Sequence, residues 1–182
     1  FAWQKELETL DRYYNTAREG MIVSRHVYDD LVYRDPKTWK YKPLLATSWK
    51  WIDPTTMELD LRQGVVFHNG EKFDADDVVY TLNFVSDPAN KVLVQRNVNW
   101  IKKAEKLGPY KVRILLHRPF PAALEYLAGN VPIYAAEKLI ELGGMVVAVA
   151  CWDNDDDCAS TFHKQIGNDV DCLISIKDRF CS

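Results

Sequence analysis

The clearest hydrophobic pattern in the chain is a strict alternation that begins at Met57. Apolar side chains at Met57, Leu59 and Leu61 alternate with charged side chains between them. This period of two is typical of a β-strand with one buried and one solvated face. Residues 46–53 predict a second strand, and only a short turn that begins at Asp53 separates the two. We therefore expect an antiparallel hairpin.

Two longer segments have the three- and four-residue apolar spacing of an amphipathic helix. One covers residues 20–33 and the other residues 73–84. In the second segment Asp74 is a natural N-cap, and Asp76 and Asp77 fall in the first turn, where the helix dipole favours anions. We interpret these three carboxylates as capping charges, with a cation site as the alternative.

The remaining predicted elements are shorter. Strands are expected at residues 1–4, 65–67, 97–107 and 111–116, and helices at residues 119–128 and 135–142. Two further strands are expected near the end of the chain, at residues 145–151 and 172–176. Together these elements predict a mixed α/β (α+β) fold with antiparallel hairpins and flanking helices.

Composition restricts the class of protein. The chain has 182 residues, of which 47% are apolar and 27% are charged, so it can bury a core and is neither disordered nor fibrous. A formal net charge of −3 argues against a general nucleic-acid binder. No apolar run approaches the ~20 residues of a membrane-spanning helix. The abrupt start without a signal peptide suggests a processed or trimmed chain.

Charge is distributed unevenly along the sequence. Residues 1–138 carry 20 Lys and Arg against 18 Asp and Glu, whereas residues 139–182 carry 3 against 8. All prolines precede this boundary, and all four cysteines follow residue 150. The shift predicts a folded lobe at 1–138 and an acidic, cysteine-containing tail of uncertain origin at 139–182. The alternative is chance variation within one domain.

Three motifs together carry a family resemblance. They are LVYRDPKT at residues 31–38, KPLLATSWKW at 42–51 and MELDLRQGVVFHNGEKFDADDVVYTL at 57–82. In order and spacing they resemble bacterial extracellular solute-binding proteins of family 5, the peptide, dipeptide, nickel and oligosaccharide receptors of ABC importers. The resemblance covers residues 1–138 and not 139–182. It implies part of a lobe of the type II periplasmic-binding-protein kind.

The resemblance also implies a function without chemistry. The chain would bind a peptide or similar small polar solute and cooperate with a membrane permease. It would be periplasmic or extracellular, and some relatives are lipid- or membrane-associated. It implies no enzyme activity and no cofactor. Family members are longer and close two lobes around the solute, so this chain would present half of a site. The alternative is a truncated interaction or structural protein that reuses the lobe and forms a homodimer through exposed lobe surface.

By the same resemblance, the loop after the first strand and the following helix face the solute. The candidate ligand-binding residues are Asp11, Tyr13, Tyr14, Asn15, Arg25 and His26. The two tyrosines could offer an apolar face and a hydroxyl, or could be packing aromatics. Elsewhere, Trp49 and Trp51 are interpreted as sheet packing and His68 as a partner in a turn.

Other chemistry finds little support in the sequence. The cysteines Cys151, Cys158, Cys172 and Cys181 are separated by 7, 14 and 9 residues, which matches no zinc pattern. In an exported protein they could form up to two disulfides, and reduced thiols are the alternative. The acidic run from Asp153 to Asp157 lacks the glycine and glutamate of an EF-hand. Nucleotide-binding, metalloprotease and hydrolase motifs are absent, so we predict no metal and no catalytic residue.

Overall fold

The computed structural model describes Thr9, residues 11–136 and the backbone of residues 150–151. The elements predicted at 1–4 and 172–176 lie outside this part of the chain, as do most of those predicted at 135–142 and 145–151. Cys158, Cys172 and Cys181 also lie outside it. The disulfide hypothesis and the boundary at residue 138 therefore stay predictions.

The described elements alternate between short strands and three helices, which confirms the mixed α/β prediction. In chain order they are α1 (Arg18–Val27), β1 (Val32–Arg34), β2 (Tyr41–Pro43), β3 (Ala46–Asp53), β4 (Thr56–Leu61), β5 (Val66–Phe67), α2 (Ala75–Ser86), β6 (Ile101–Gly108), β7 (Lys111–Leu116), α3 (Ala123–Leu127) and β8 (Ala150–Cys151). Two 3-10 turns, Pro88–Asn90 and Gln95–Asn97, join α2 to β6.

A four-stranded antiparallel sheet in the order β3-β4-β7-β6 organises the structure. The predicted hairpin of β3 and β4 is confirmed, with Trp49 opposite Leu59 and Trp51 opposite Met57. Since directly opposed residues share a face, both tryptophans lie on the inner side of the sheet. Trp49 packs against the core there, and Trp51 on the edge strand is partly exposed.

Helix α2 covers the inner face of the sheet over β6. Its start is fixed by a capping box in which Asp74 accepts from the N3 backbone and the Asp77 carboxylate accepts from the Asp74 N–H at 2.9 Å. The capping interpretation of this acidic cluster is thereby confirmed. The buried side chains Val78, Leu82 and Val85 then pack toward the strands.

The outer face of the sheet carries a row of alternating charges across the four strands. Lys50 lies opposite Glu58, Glu58 opposite Arg113, and Arg113 opposite Glu105. The Arg113 Nη2 atom is 2.6 Å from Glu58 Oε1, and Lys111 Nζ is 3.4 Å from Glu58 Oε2. Because Glu58 is shared by two cations, it is the centre of this row.

Replacing Glu58 with glutamine should lower the free energy of unfolding more than Asp60→Asn does, because two cations lose the carboxylate that they share. The Glu58 side chain is only 16% exposed, so its ion pairs are less screened than typical surface pairs. Urea denaturation measures the loss. Asp60→Asn is the matched control, because Asp60 is 55% exposed and 3.7 Å from Lys111. Equal midpoints for the two variants would contradict the prediction.

The helix predicted at residues 20–33 is wrong in its second half. Helix α1 ends at Val27, and Val32–Arg34 is strand β1. The chain leaves the helix because the carbonyl of Asp29 accepts from the Ile133 N–H at 3.1 Å and Asp30 forms a β-bridge with Pro132. Tertiary pairing thus overrides an apolar spacing that continues through Leu31.

Smaller differences concern the ends of other elements. Strand β2 was not expected, β6 begins at residue 101 because a 3-10 turn occupies Gln95–Asn97, and α3 is shorter than predicted. The short strand β5 is confirmed, and its partner is β8 within the segment predicted as a strand at 145–151. None of the described helices is long and apolar enough to cross a membrane.

Candidate functional site

The predicted ligand loop at residues 11–15 is held between two distant segments. On one side the Leu93 N–H donates to the Tyr13 carbonyl at 3.0 Å, and the Tyr14 hydroxyl donates to the Asn90 carbonyl at 2.7 Å. On the other side the Tyr13 hydroxyl donates to the Pro132 carbonyl at 2.6 Å. The loop is therefore fixed by hydrogen bonds on both flanks.

The carboxylate of Asp11 lies inside this arrangement and is buried. Its Oδ1 atom accepts from the Tyr13 N–H at 2.9 Å and from the Tyr134 hydroxyl at 3.0 Å. Burial raises the pKa of Asp11, and these hydrogen bonds oppose the rise. The geometry gives Asp11 a structural role as the acceptor at the centre of the loop.

Three buried tyrosine rings surround Asp11. Tyr134 stacks on Tyr28 with ring centroids 4.8 Å apart and meets Tyr13 edge to face at 5.1 Å. Burial raises the pKa of Tyr13 and Tyr134 well above the ordinary value. Both hydroxyls therefore stay protonated and donate hydrogen bonds. We call Asp11, Tyr13, Tyr28 and Tyr134 the tyrosine cluster.

A small crevice opens beside the tyrosine cluster toward α2. It is lined by Asp11, Tyr13, Tyr14, Thr81, Phe84, Val85 and Tyr134. The space between these side chains is too small for a water molecule. The described part of the loop therefore packs against the helix and leaves no room there for a solute.

Asn15 is buried as well and organises the approach to α1. Its side-chain amide donates to the Thr9 carbonyl, and its Oδ1 accepts from the Ala17 N–H at 2.8 Å. Gly20 lies so close that a Cβ atom there would be 1.9 Å from the amide nitrogen of Asn15. The pair thus fixes how the loop enters the helix.

The other predicted ligand residues face solvent to different degrees. Tyr14 is half-buried, and Arg25 and His26 are exposed in the last turn of α1. One ring nitrogen of His26, Nδ1, is 2.9 Å from the Ile22 carbonyl. The Arg25 side chain lies close to Gly129, with Nη2 3.5 Å from the position that a Cβ atom would occupy there. These three side chains remain available for contact with a solute.

Two charged residues beside the loop were missed by sequence reasoning. Arg12 is buried, its N–H donates to the Tyr134 hydroxyl at 2.9 Å, and its Nη2 is 3.4 Å from Asn130 Oδ1. Asp30 interacts electrostatically with it, and burial together with the neighbouring Asp29 raises the pKa of Asp30 to about 7. In the sequence, the one feature that marks Arg12 and Asp30 is a charged neighbour, Asp11 or Asp29. Adjacent charges do not reveal that a side chain is buried.

Among the described residues, no group of three or more His, Cys, Asp or Glu side chains is arranged to hold a metal ion. His68 is partly buried, and that burial lowers its pKa to about 4, so it is neutral near pH 7. The site therefore consists of a hydrogen-bonded loop, followed by a helix whose last turn exposes Arg25 and His26.

The fold and this fixed loop define a class of binding protein, and comparison with known proteins identifies it further. The profile of the bacterial extracellular solute-binding proteins, family 5 (Middle), matches residues 40–169. The chain belongs to this family. The match continues past the predicted boundary at residue 138.

Relatives and solved structures agree with the family. The glutathione-binding protein GsiB of Escherichia coli K12 is 35% identical over 121 residues, which are 66% of this chain and 23% of that protein. NikZ of Campylobacter jejuni, solved with Ni(L-His), is 30% identical with a TM-score of 0.67 and covers 75% of this chain and 27% of its own. AgaA of A. tumefaciens R10, solved with agropinic acid, is 28% identical with a TM-score of 0.69. The match covers 76% of this chain and 28% of AgaA.

Each alignment takes in most of this chain and only a small part of the relative. The chain spans 23% of the length of GsiB, whereas the match takes in 66% of the chain. The chain thus spans about a quarter of the length of these relatives, and its fold is similar to that part of them. The fold expected from the three sequence motifs is confirmed, since solved relatives of this family share it.

Proposed function

We propose that the chain is part of the extracellular receptor of an ABC importer and binds a peptide or similar small polar solute without chemical change. Membership of the solute-binding family is the observation that carries the proposal. A membrane permease would be its partner, and the periplasm or the cell exterior its location. The relatives act as binding proteins, so we assign no catalytic step.

Tyr14, Arg25 and His26 keep solvent-exposed surface, and this set of side chains, which we call the exposed edge, supplies the solute contacts in this proposal. Arg25 and His26 lie in the last turn of α1, and Tyr14 is the half-buried side chain of the loop. A guanidinium pairs well with a carboxylate, and a tyrosine offers both a ring and a hydroxyl. A small peptide with a free carboxylate therefore matches this edge. Asp11, Tyr13 and Asn15 act indirectly, by holding the loop.

The 182-residue chain should bind such a solute weakly, because it spans 23% of the length of GsiB and would supply only part of a cleft. We expect a Kd on the order of 1 mM for glutathione, measured by two-dimensional NMR titration of the 182-residue chain. Arg25→Gln should weaken binding by roughly tenfold, as expected for the loss of one charge-assisted contact.

Arg18→Gln is the matched control for this titration. Arg18 lies in the first turn of the same helix and is also exposed. Its replacement removes the same charge and should leave the Kd unchanged. Equal weakening by both substitutions would indicate a general charge effect, and no binding to any peptide would contradict the proposal for this chain.

Pairing with a second copy is the other hypothesis from the sequence. It draws on exposed apolar side chains, of which Leu93 is 62% exposed. Sedimentation equilibrium distinguishes the two: the receptor proposal expects the monomer mass of 21.0 kDa at all concentrations. A mass that doubles with concentration would favour the dimer.

A further inference from the structure

The turn between β1 and β2 is held rigidly by one aspartate. The Asp35 Oδ1 atom accepts from the N–H groups of Lys37 at 2.8 Å and Thr38 at 3.0 Å. The Asp35 carbonyl accepts from the Trp39 N–H at 2.8 Å, and the Asp35 N–H donates to the Lys40 carbonyl at 3.0 Å. The backbone of this turn is therefore largely satisfied internally, which leaves little of it to pair with another chain.

Trp39 occupies an unusual position in this turn. Its φ is +59°, in the left-handed region that favours glycine or asparagine, and its side chain is 65% exposed. A large aromatic residue at such a position is strained and gains little from burial. The Arg34 guanidinium lies 4.7 Å from the centroid of its ring and supports one face. An exposed, strained and supported side chain of this kind indicates a contact with something outside the chain.

The surroundings of Trp39 are basic, although the chain carries a net charge of −3. Arg34, Lys37, Lys40 and Lys42 all belong to the segment 32–43, which we call the basic hairpin. Asp35 is the only acidic residue of this segment, and its Oδ2 atom is 2.5 Å from Lys42 Nζ. The ion pair with Lys42, together with the hydrogen bonds from the turn amides, holds the pKa of Asp35 well below the usual range.

One more carboxylate reaches the basic hairpin, from α3. Glu125 forms an ion pair with Arg34 and accepts from the Tyr41 hydroxyl at 2.9 Å. After both carboxylates are paired, Lys37 and Lys40 remain as exposed charges beside Trp39. Within the described part of the chain neither lysine forms an ion pair, so the surface there combines an amphipathic ring with two exposed positive charges.

We propose that the basic hairpin is a peripheral membrane contact that binds anionic phospholipid headgroups, with Trp39 in the interfacial layer and Lys37 and Lys40 on the phosphates. Tryptophan is the side chain best suited to the membrane–water interface, and lysines near an anionic surface add electrostatic attraction. A peptide partner is less suited, because the turn amides are occupied and the Trp39 side chain projects from the turn, 65% exposed.

Vesicle sedimentation of the 182-residue chain tests this proposal. We expect at least tenfold stronger binding to vesicles of phosphatidylcholine mixed with phosphatidylglycerol than to phosphatidylcholine alone, and weaker binding in high salt. Trp39→Gly should reduce binding at least fivefold without lowering the melting temperature, because glycine relieves the left-handed strain. Lys37→Gln with Lys40→Gln should remove the preference for phosphatidylglycerol.

Leu93→Ser is the matched control, since Leu93 is also prominently exposed and lies outside the basic hairpin. It should bind vesicles as the unmodified chain does. Soluble polyglutamate separates lipid from acidic protein: binding of polyglutamate that matches the vesicles and depends on Trp39 would overturn the lipid assignment. Vesicle binding that Trp39→Gly leaves unchanged, or that ignores lipid charge, would also overturn it.

Discussion

Replacing Tyr134 with alanine is expected to lower the free energy of unfolding by about 3–5 kcal/mol. The ring is 1% exposed and lies between Tyr13 and Tyr28, so its removal leaves a cavity in the tyrosine cluster. Its hydroxyl also joins Asp11 to the backbone of Arg12. The substitution therefore removes packing and hydrogen bonds from the same place.

Tyr134→Phe separates these two contributions. It keeps the ring and removes only the hydroxyl, which leaves the Arg12 N–H without its acceptor and Asp11 without one donor. Leaving buried polar groups unsatisfied should destabilise the protein by about 1–3 kcal/mol. Urea denaturation, analysed as a two-state transition, measures both variants.

Tyr33→Ala provides the control for the loss of an aromatic ring. Tyr33 lies on β1 and is 40% exposed, so we expect a loss below about 1 kcal/mol. If Tyr134→Ala and Tyr33→Ala had the same effect, the tyrosine cluster would not be the element that fixes the loop.

Local patterns predicted the sheet and α2 well. Strands β3 and β4 follow from alternation and one short turn, and the start of α2 follows from Asp74 and Asp77, three residues apart. In each case the residues that decide the structure are close in sequence. The pattern could therefore be recognised without knowledge of the tertiary fold.

The burial of the candidate site could not be predicted in the same way. Tyr13 donates to Pro132 across 119 residues, and Asp11 accepts from Tyr134 across 123. Sequence reasoning grouped Asp11, Tyr13, Tyr14 and Asn15 as one loop, and the structure brings them together. It had no signal for the segment that covers them, so it could not separate the residues that hold the loop from Arg25 and His26, which remain exposed.

The end of α1 shows the same dependence on distant partners. The apolar spacing at Val27 and Leu31 suits a helix, but Asp29 and Asp30 pair with the segment 132–133 instead. This pairing places the Asp30 carboxyl beside Arg12 in a buried environment. The consequence is a dependence of stability on pH that neither charge alone would suggest.

Stability is therefore expected to fall as the pH rises from about 4 to 7, with Asp30 as the cause. Burial and the neighbouring Asp29 raise the pKa of Asp30 to about 7, and Arg12 and Arg25 oppose the rise. An unfolded aspartate has a pKa of about 3.9. Between these values the folded state binds a proton that the unfolded state has released. The contribution is present in full at low pH and is lost as the pH rises through 7.

Two other groups act within this window and in opposite directions. Burial raises the pKa of Asp77 to about 6, which favours the folded state at lower pH. Burial lowers the pKa of His68 to about 4, so the unfolded state takes up a proton first as the pH falls below about 6.5. Their effects partly cancel between about pH 4 and 6. The fall in stability between about pH 6 and 7 consequently reports on Asp30 most directly.

Asp30→Asn should flatten this part of the pH profile. Urea midpoints at pH 5, 6, 7 and 8, in buffers of matched ionic strength, compare the variant with the unmodified chain. A shift of about three pKa units sets an upper value of about 4 kcal/mol for the whole titration, reduced where water reaches the carboxyl. The slope, and not the absolute stability, is the quantity to compare, because asparagine also leaves Arg12 without its neighbouring charge. An unchanged slope in the variant would show that Asp30 is already ionised in the folded protein and that Arg12 outweighs its burial.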